Sequence, residues 1–171
     1  MVRNKYIQYY VEGQDDKKVV DTLKTKMGLV KPGKVDVLNV TSGKITDMRL
    51  RTLLPGTMVV LVFDVDAGSR EILDMNIQKL KSCKAITEVL TIPQVSKLEA
   101  ELVRSCNIRQ IKELLNSKTN EDFKRDVLRV TNLDFKLREH KFDITCFWSS
   151  KPVPPYQDIP NQSKKVKLES T

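Results

Sequence analysis

Acidic residues follow two segments that the sequence predicts to be β-strands. Glu12 comes directly after residues 5–11, Asp64 directly follows the apolar run 58–63, and Asp66 stands two positions later. Because residues i and i+2 of an extended chain face the same side, Asp64 and Asp66 are expected to point together. Acids that meet in a cleft resist ionisation unless a cation neutralises them, and hard cations prefer oxygen ligands. The pattern therefore predicts a Mg²⁺ or Mn²⁺ site.

The elements that must position these acids alternate between strand and helix. Glycine and proline residues separate predicted strands and helices. In chain order these are 5–11 (strand), 15–27 (helix), 35–40 (strand), 44–54 (helix), 58–63 (strand), 69–82 (helix) and 89–92 (strand). This alternation predicts an α/β fold with a doubly wound, mostly parallel, Rossmann-like sheet. With the usual strand order 2-1-3, Glu12 and Asp64 lie together at the crevice where such sheets bind ligands.

The second half of the chain has a different character. It is predicted to be mostly helical, over 96–105, 107–116, 119–130 and 132–139, with 142–147 as a candidate final strand. Four prolines between positions 152 and 160 then end regular structure. We therefore expect an α/β core at 1–94, a helical extension at 95–150, and a flexible Pro-rich segment and polar tail at 151–171.

Composition limits the class of protein. The chain has 171 residues with 30 Lys and Arg against 22 Asp and Glu, a formal net charge of +8, which permits nucleic acid as a partner without requiring it. The sequence shows neither a signal peptide nor an apolar run of the ~20 residues that a membrane span needs. One His and three Cys (Cys83, Cys106 and Cys146) make neither a zinc site nor a disulfide framework. A cytoplasmic protein with no membrane partner is expected.

Three segments carry a resemblance to a known family: Val11-Glu12-Gly13-Gln14-Asp15-Asp16, Thr41-Ser42-Gly43, and Val62-Phe63-Asp64-Val65-Asp66-Ala67-Gly68. In this order they resemble the Toprim domain, which is shared by type IA and type II topoisomerases, bacterial primases, small ribonucleases that mature 5S rRNA, and OLD-type nucleases. The resemblance covers about residues 5–92. It implies that Glu12 is a general acid/base or metal ligand and that Asp64 and Asp66 bind Mg²⁺.

The chain also departs from the larger members of that family. It has no recognisable topoisomerase cleavage domain, no ATPase of the OLD kind and no zinc-binding domain as in primases. The resemblance therefore implies a stand-alone Toprim protein that cleaves phosphodiester bonds in nucleic acid, DNA or RNA, with Mg²⁺ or Mn²⁺ as cofactor. A partner protein that regulates or targets it would fit this arrangement. The alternative is a catalytically weak Toprim-like module that binds nucleic acid or a partner protein.

Other acids are weaker candidates. Asp15 and Asp16 suit the capping of the first helix or a position just outside a metal site. Glu99 and Glu101 begin a helix soon after the fourth strand and are candidates for a second metal ion, or for a solvated helix face. The placement of Glu99 loosely resembles the extra acidic helix of OLD-type nucleases.

The same residues bear on three other phosphate chemistries. A P-loop is disfavoured because Leu38 and Ile45 stand where it needs Gly and Ser or Thr. The run 62–66 also resembles haloacid-dehalogenase phosphatases, in which the first aspartate is a nucleophile, but Gly68 stands where that family usually has Thr or Val. A sugar-nucleotide transferase would share only the Asp-x-Asp pair.

Basic residues are the candidates for contact with nucleic acid. Lys44 and Arg70 follow the segments that resemble the family, and Lys118, Arg125 and Arg129 share one predicted helix face. Lys151 lies close to Trp148, whose ring is a candidate for base stacking or for core packing. The sequence predicts phosphate contacts at Lys44, Arg70, Lys118, Arg125, Arg129 and Lys151, with solvated surface charge as the other interpretation.

Overall fold

The computed structural model describes residues 4–168. The strands are β1 (Tyr6–Val11), β2 (Lys34–Val37), β3 (Thr57–Asp64) and β4 (Ile86–Gln94). The α-helices are α1 (Gln14–Asp21), α2 (Asp47–Arg51), α3 (Arg70–Lys81), α4 (Leu98–Ser105), α5 (Phe123–Arg129) and α6 (Leu133–Glu139). A π-helical turn (Thr22–Lys26) continues α1, and short 3₁₀ turns lie at Ile111–Glu113 and Ser163–Lys165. In this part of the chain no helix is long and apolar enough to cross a membrane.

The four strands form one parallel sheet in the order β2-β1-β3-β4. The predicted α/β class with a doubly wound parallel sheet is confirmed. Apolar cores lie on both faces: Tyr9 and Val60 face the side covered by α1 and by helices of the second half, and Leu61 and Phe63 face the side of α3. Strand β3 is thus buried on both faces, as its continuous apolar sequence predicts.

Strand β4 is longer than the sequence suggests. It runs from Ile86 to Gln94 and passes through Pro93, where the prediction ended it. Proline is tolerated there because β4 is an edge strand. The backbone N–H and C=O of Thr91 point away from β3 and bond to Gln162 at 2.9 Å each, so Pro93, two residues on, also faces outward, where no sheet partner needs its missing N–H. The strand therefore carries Gln94 to the same edge as Asp64, its register partner.

The second half contains less regular structure than predicted. Only the 3₁₀ turn at Ile111–Glu113 forms within 107–116, and residues 142–147 make turns rather than the candidate final strand. The reason at the second place is local: the Asp143 carboxylate accepts hydrogen bonds from the backbone N–H and the hydroxyl of Thr145, which closes a turn that competes with an extended strand.

The Pro-rich segment packs onto the body of the protein. Tyr156, Ile159 and Val166 are buried, and a single antiparallel bridge joins Val30 to Lys167. This corrects the expectation of a flexible segment for residues 151–168, because three apolar side chains in a Pro-rich stretch are enough to anchor it. The last part of the predicted tail, residues 169–171, lies outside the described residues.

Gly68 and Thr41 bring two of the family-like segments into contact. Gly68 has a φ of +89°, and a Cβ atom placed on it would overlap the Thr41 hydroxyl. The next residue, Ser69, donates its backbone N–H to the Thr41 carbonyl at 2.7 Å. The loop after β3 is therefore fixed against the loop that follows β2, and the site at the end of β3 inherits that rigidity.

Gly68→Ala is expected to lower the free energy of unfolding by about 2 kcal/mol, since it combines an unfavourable positive φ with overlap at Thr41. Urea unfolding of the variant measures this. Gly28→Ala is the matched control: Gly28 also has a positive φ, +64°, but nothing lies within 4 Å of its added Cβ. Equal losses in the two variants would show that the contact with Thr41 contributes nothing.

Candidate functional site

Three carboxyl groups and one amide meet at the carboxyl edge of the sheet. Glu12 directly follows β1, Asp64 ends β3, Gln94 ends β4, and Asp16 lies in the first turn of α1. The strand order makes β1, β3 and β4 consecutive neighbours. The carboxyl ends of three strands and the N-terminus of one helix therefore converge. We call Glu12, Asp16, Asp64 and Gln94 the carboxylate cluster.

Gln94 joins two of the acids. Its side-chain Nε2 donates to Asp16 Oδ1 at 2.9 Å and to Asp64 Oδ1 at 2.7 Å. Its Oε1 accepts from the indole Nε1 of Trp148 at 3.0 Å. Because the indole nitrogen can only donate, the amide is oriented with its oxygen to Trp148 and its NH₂ to the acids.

The carboxyl groups of Glu12 and Asp64 hydrogen-bond to each other, which two carboxyl groups can do only when they share a proton. Burial raises the pKa of Asp64 to about 9, and the hydrogen bond with Glu12 and the charges of Glu12 and Asp66 act in the same direction. Burial also raises the pKa of Glu12. We therefore expect the pair to retain one proton in the metal-free protein at neutral pH.

Asp16 serves both the helix and the cluster. Its Oδ2 accepts from the backbone N–H of Gly13 at 3.0 Å, which caps the start of α1 as predicted. Its other oxygen faces Gln94. Burial, followed by the negative charges of Asp15 and Asp64, raises the pKa of Asp16 to about 7, against the opposing effect of its two hydrogen bonds.

Two of the predicted metal ligands lie at the margin of this cluster. Asp66 is exposed, because the chain bends directly after Asp64 instead of continuing extended, although its charge still acts on Glu12 and Asp64. Glu99 is buried, and its carboxylate lies 4.0 Å from Lys124 Nζ. The interpretation of Glu99 as part of a solvated helix face is therefore wrong.

Glu101 is fully buried and takes a structural position. Its Oε2 accepts from the backbone N–H of Val95 at 2.9 Å, and its Oε1 accepts from the backbone N–H of Trp148 at 3.2 Å and pairs with Arg104 at 3.0 Å. Its two oxygens thus accept from the two segments that carry Gln94 and Trp148, and Arg104 of the same helix offsets its charge. Glu101 is thus a positioning residue for the cluster, and the solvated interpretation is again wrong.

The predicted basic residues are not gathered around the cluster. Arg70 is bound by Asp158, at 2.5 and 3.0 Å, and by Asp74 at 2.9 Å. Arg125 pairs with Asp122 and Asp126. The other four are exposed and donate no hydrogen bond to the cluster among the described residues: Lys44, Lys118, Arg129 and Lys151.

Lys124 is a cation that the sequence analysis missed. It lies on α5, and burial, which lowers its pKa, is outweighed by the charges of Glu99, Asp15, Asp64 and Asp16, which raise it. Four acids from three parts of the chain therefore act on one lysine. The sequence contains little indication of this role for Lys124. The basic face predicted for its helix contains Arg125 and Arg129, and Lys124 does not belong to it.

The donor set fits a hard divalent cation in its chemistry. Glu12, Asp16 and Asp64 offer only oxygen atoms, and all three carry a raised pKa, chiefly because of burial and then because of one another's negative charge. As they stand, with the shared proton and the Gln94 amide between them, no group of three or more acidic, His or Cys side chains within residues 4–168 forms a ready-made metal site. Glu12 and Asp64 would hold the ion once it replaces their proton.

Comparisons with protein-family models, curated proteins and solved structures found no match.

The metal-free protein is expected to lose stability as the pH rises. Unfolded Asp16 and Asp64 ionise near pH 3.8, whereas in the folded state their pKa values are about 7 and about 9. The folded state therefore binds more protons between these limits, and its stability falls through that window. In EDTA we expect Tm to drop by roughly 10 °C or more from pH 5.5 to pH 8.5.

Asp64→Asn supplies the control for this pH effect. The variant cannot ionise at position 64, so its Tm should fall less over the same range and should exceed that of the wild type at pH 8.5. Mg²⁺ at pH 8.5 should raise the Tm of the wild type alone, because only the ionised pair attracts the ion. An equal drop in both proteins would show that the pair does not hold its proton.

Proposed function

We propose that this protein is a Mg²⁺-dependent phosphodiester-cleaving protein of the Toprim type that acts on nucleic acid. The observation that carries the proposal is the carboxylate cluster: three acids, of which Asp16 is buried and Glu12 and Asp64 are half-buried, meet at the carboxyl edge of adjacent parallel strands, all with raised pKa values. Burying acids together is costly for a fold and is typical of sites where a bound cation offsets the repulsion.

The arrangement of elements supports the same proposal. Glu12 follows the first strand and Asp64 ends the third, and the two strands are neighbours in the sheet. The contact between Thr41 and Gly68 joins segment 41–43 to segment 62–68, the second and third of the segments on which the resemblance to Toprim rests. The three family-like segments are thus linked, the first to the third through Glu12 and Asp64 and the second to the third through Thr41 and Gly68.

Each residue then has a role that its position allows. A divalent ion, when bound, supplies charge stabilisation at the phosphoryl oxygens and activates water. Asp64 and Glu12 would hold it, and Glu12, at the end of β1, would take a proton from the attacking water. Lys124 supplies positive charge facing the same acids and would attract a phosphodiester into the site. Asp66, exposed at the rim, adds negative charge for the ion.

Nucleic acid is the substrate class that the overall charge favours. The net charge of +8 attracts a polyanion, and the cluster alone would repel it. The exposed cations Lys44, Lys118 and Arg129 lie outside the cluster and leave its acids free for a metal ion.

One observation favours a second candidate function, that of a catalytically weak module that binds nucleic acid or a partner protein. The Gln94 amide already donates to Asp16 and Asp64, and Glu12 and Asp64 already share a proton. Such a network satisfies its own polar groups without a metal ion. A protein of this kind would bind its partner equally well with or without divalent ions.

Calorimetric titration with Mn²⁺ and Mg²⁺ distinguishes the two. The wild type is expected to bind Mn²⁺ with release of the shared proton, measured as a dependence of the binding heat on the buffer, and Asp64→Asn is expected not to bind. Asp47→Asn is the matched control, since Asp47 is exposed and pairs with Lys79 on the surface. Absence of binding in the wild type, with and without a single-stranded oligonucleotide, would favour the binding module.

A further inference from the structure

A cavity lies between residues 145–152 and 157–167, and one of its lining residues, Trp148, hydrogen-bonds to Gln94 of the carboxylate cluster. Its volume is about 430 Å³, within the range of ligand sites. Three lysines line it: Lys151, Lys164 and Lys167. All three come from the segment expected to be flexible, so the cavity exists only because that segment folds back onto the protein.

The ammonium groups of these lysines have no protein partner among residues 4–168. The structure gives none of the three a carboxylate within 4.0 Å or a hydrogen-bond acceptor, whereas the neighbouring Lys165 pairs with Glu88 at 2.6 Å. Lys167 is half-buried, and burial lowers its pKa. A cation that loses water without gaining an anion is unfavourable, so an anion from outside would stabilise it.

The acid that lines the cavity is already neutralised. Asp158 receives two hydrogen bonds from the guanidinium of Arg70. Glu101 and Asp143 also act on Lys167, but the first is held by Val95, Trp148 and Arg104 and the second by Thr145. The positive charge of the three lysines is therefore left to face the cavity.

Hydrogen bonds hold the walls of the cavity together in the ligand-free protein. The carbonyl of Trp148 accepts from Asn161 Nδ2 at 2.8 Å and from Ser163 Oγ at 2.7 Å. Trp148 is fully buried and has a φ of +56°, a conformation that a bulky residue adopts only when its surroundings impose it. Through its indole it also contacts Gln94, so one residue links the cavity to the carboxylate cluster.

We propose that Lys151, Lys164 and Lys167 form a pocket that binds a phosphate group, and that in the working protein this is a backbone phosphate of the same nucleic-acid strand that the cluster cleaves. The pocket chemistry follows from the preformed walls and from three cations that have no partner within residues 4–168. The assignment of the phosphate to a nucleic-acid strand rests on the proposed function.

The test measures binding without catalysis. A fluorescent single-stranded DNA of about 12 nucleotides, and an RNA of the same sequence, are titrated in EDTA and followed by anisotropy over a range of NaCl concentrations. The variant Lys151→Gln/Lys164→Gln/Lys167→Gln is expected to bind about tenfold more weakly near 0.1 M salt. The slope of log K against log salt should be shallower by roughly 1 to 2, as expected from the loss of two or three phosphate contacts.

A charge-matched control separates the pocket from general attraction. Lys5, Lys31 and Lys34 line a cavity at the amino-terminal edge of the sheet, away from the cluster. Their triple change to Gln removes the same charge and should weaken binding by less than about threefold. Equal losses in the two triple variants, or no loss in either, would overturn the assignment to a strand. Because Lys167 is half-buried, Lys151→Gln/Lys164→Gln, at two exposed positions, repeats the test if the triple variant does not fold.

A second arm identifies the source of the phosphate. Calorimetric titration with inorganic phosphate should show binding to the wild type and none to the pocket variant. If inorganic phosphate binds in this way while the oligonucleotide binds both proteins equally, the pocket is supported and its ligand is a free phosphate. If phosphate and oligonucleotide both bind the two proteins equally, the pocket is refuted. Loss of cleavage in Asp64→Asn leaves all of these results unchanged, so the two proposals fail separately.

Discussion

Asp64→Asn is expected to reduce Mn²⁺-dependent cleavage of an oligonucleotide by about a thousandfold. Asp64 is the acid that contacts both Glu12 and Gln94, so its charge is central to any ion that the cluster binds. Loss of a bound ion removes several kcal/mol of transition-state stabilisation, and each 1.36 kcal/mol is tenfold in rate. Asparagine keeps the shape of the side chain, so the fold should be retained. Single-turnover cleavage of labelled DNA and RNA measures the loss.

Two further aspartates make the cleavage experiment selective. Asp66→Asn should cost about tenfold, because Asp66 is exposed and acts on the cluster only through its charge. Asp47→Asn should leave the rate unchanged, since it removes one surface pair with Lys79. Equal effects of the changes at positions 64 and 66 would show that the cluster seen here is not the arrangement that binds the ion. A wild type that binds the oligonucleotide but never cleaves it would favour the binding module.

Glu101→Ala is expected to lower the free energy of unfolding by about 3 kcal/mol. The substitution leaves the backbone N–H groups of Val95 and Trp148 and the guanidinium of Arg104 without their acceptor, in a place where Glu101 itself is completely shielded from water. Buried donors that lose a charged partner carry most of this penalty. Urea unfolding followed by Trp148 fluorescence measures the change and reports on the indole at the same time.

Two further variants, Glu101→Gln and Glu121→Ala, are compared with Glu101→Ala for their free energy of unfolding. Glutamine retains one acceptor oxygen but brings an NH₂ group against a backbone donor, so an intermediate loss is expected. Glu121 is exposed, and its replacement should cost less than about 0.5 kcal/mol. If Glu101→Ala unfolds at the wild-type urea concentration, Glu101 does not hold the two segments together.

The sequence allowed the central acids to be predicted because strand ends are easy to recognise. A continuous apolar run that ends in Asp64, and a short aromatic run that ends before Glu12, define both positions without any knowledge of tertiary contacts. The parallel topology then requires the two ends to meet. Asp66 was harder, since the alternation argument holds only while the chain stays extended, and it bends after position 64.

The positions of Gln94 and Trp148 in the site could not be predicted from the sequence, for a different reason. Pro93 indicates the end of a strand unless the strand is known to lie at the sheet edge. Whether a strand lies at the edge depends on which strands pair. Trp148 joins the site from 54 positions further along the chain. Its position depends on turns at 142–147 and on the packing of 156–166, which no local periodicity encodes.

The pairing of Gln162 with Thr91 has a consequence for how this protein meets copies of itself. A sheet grows when another chain lays an extended segment along an unpaired outer strand, and a long β4 would otherwise invite such growth. The returning C-terminal segment occupies the middle of that strand from the same molecule, and Pro93 removes a further donor. Stacking of chains into filaments along this side is blocked, and the opposite border of the sheet is the four-residue β2, too short to recruit a partner strongly.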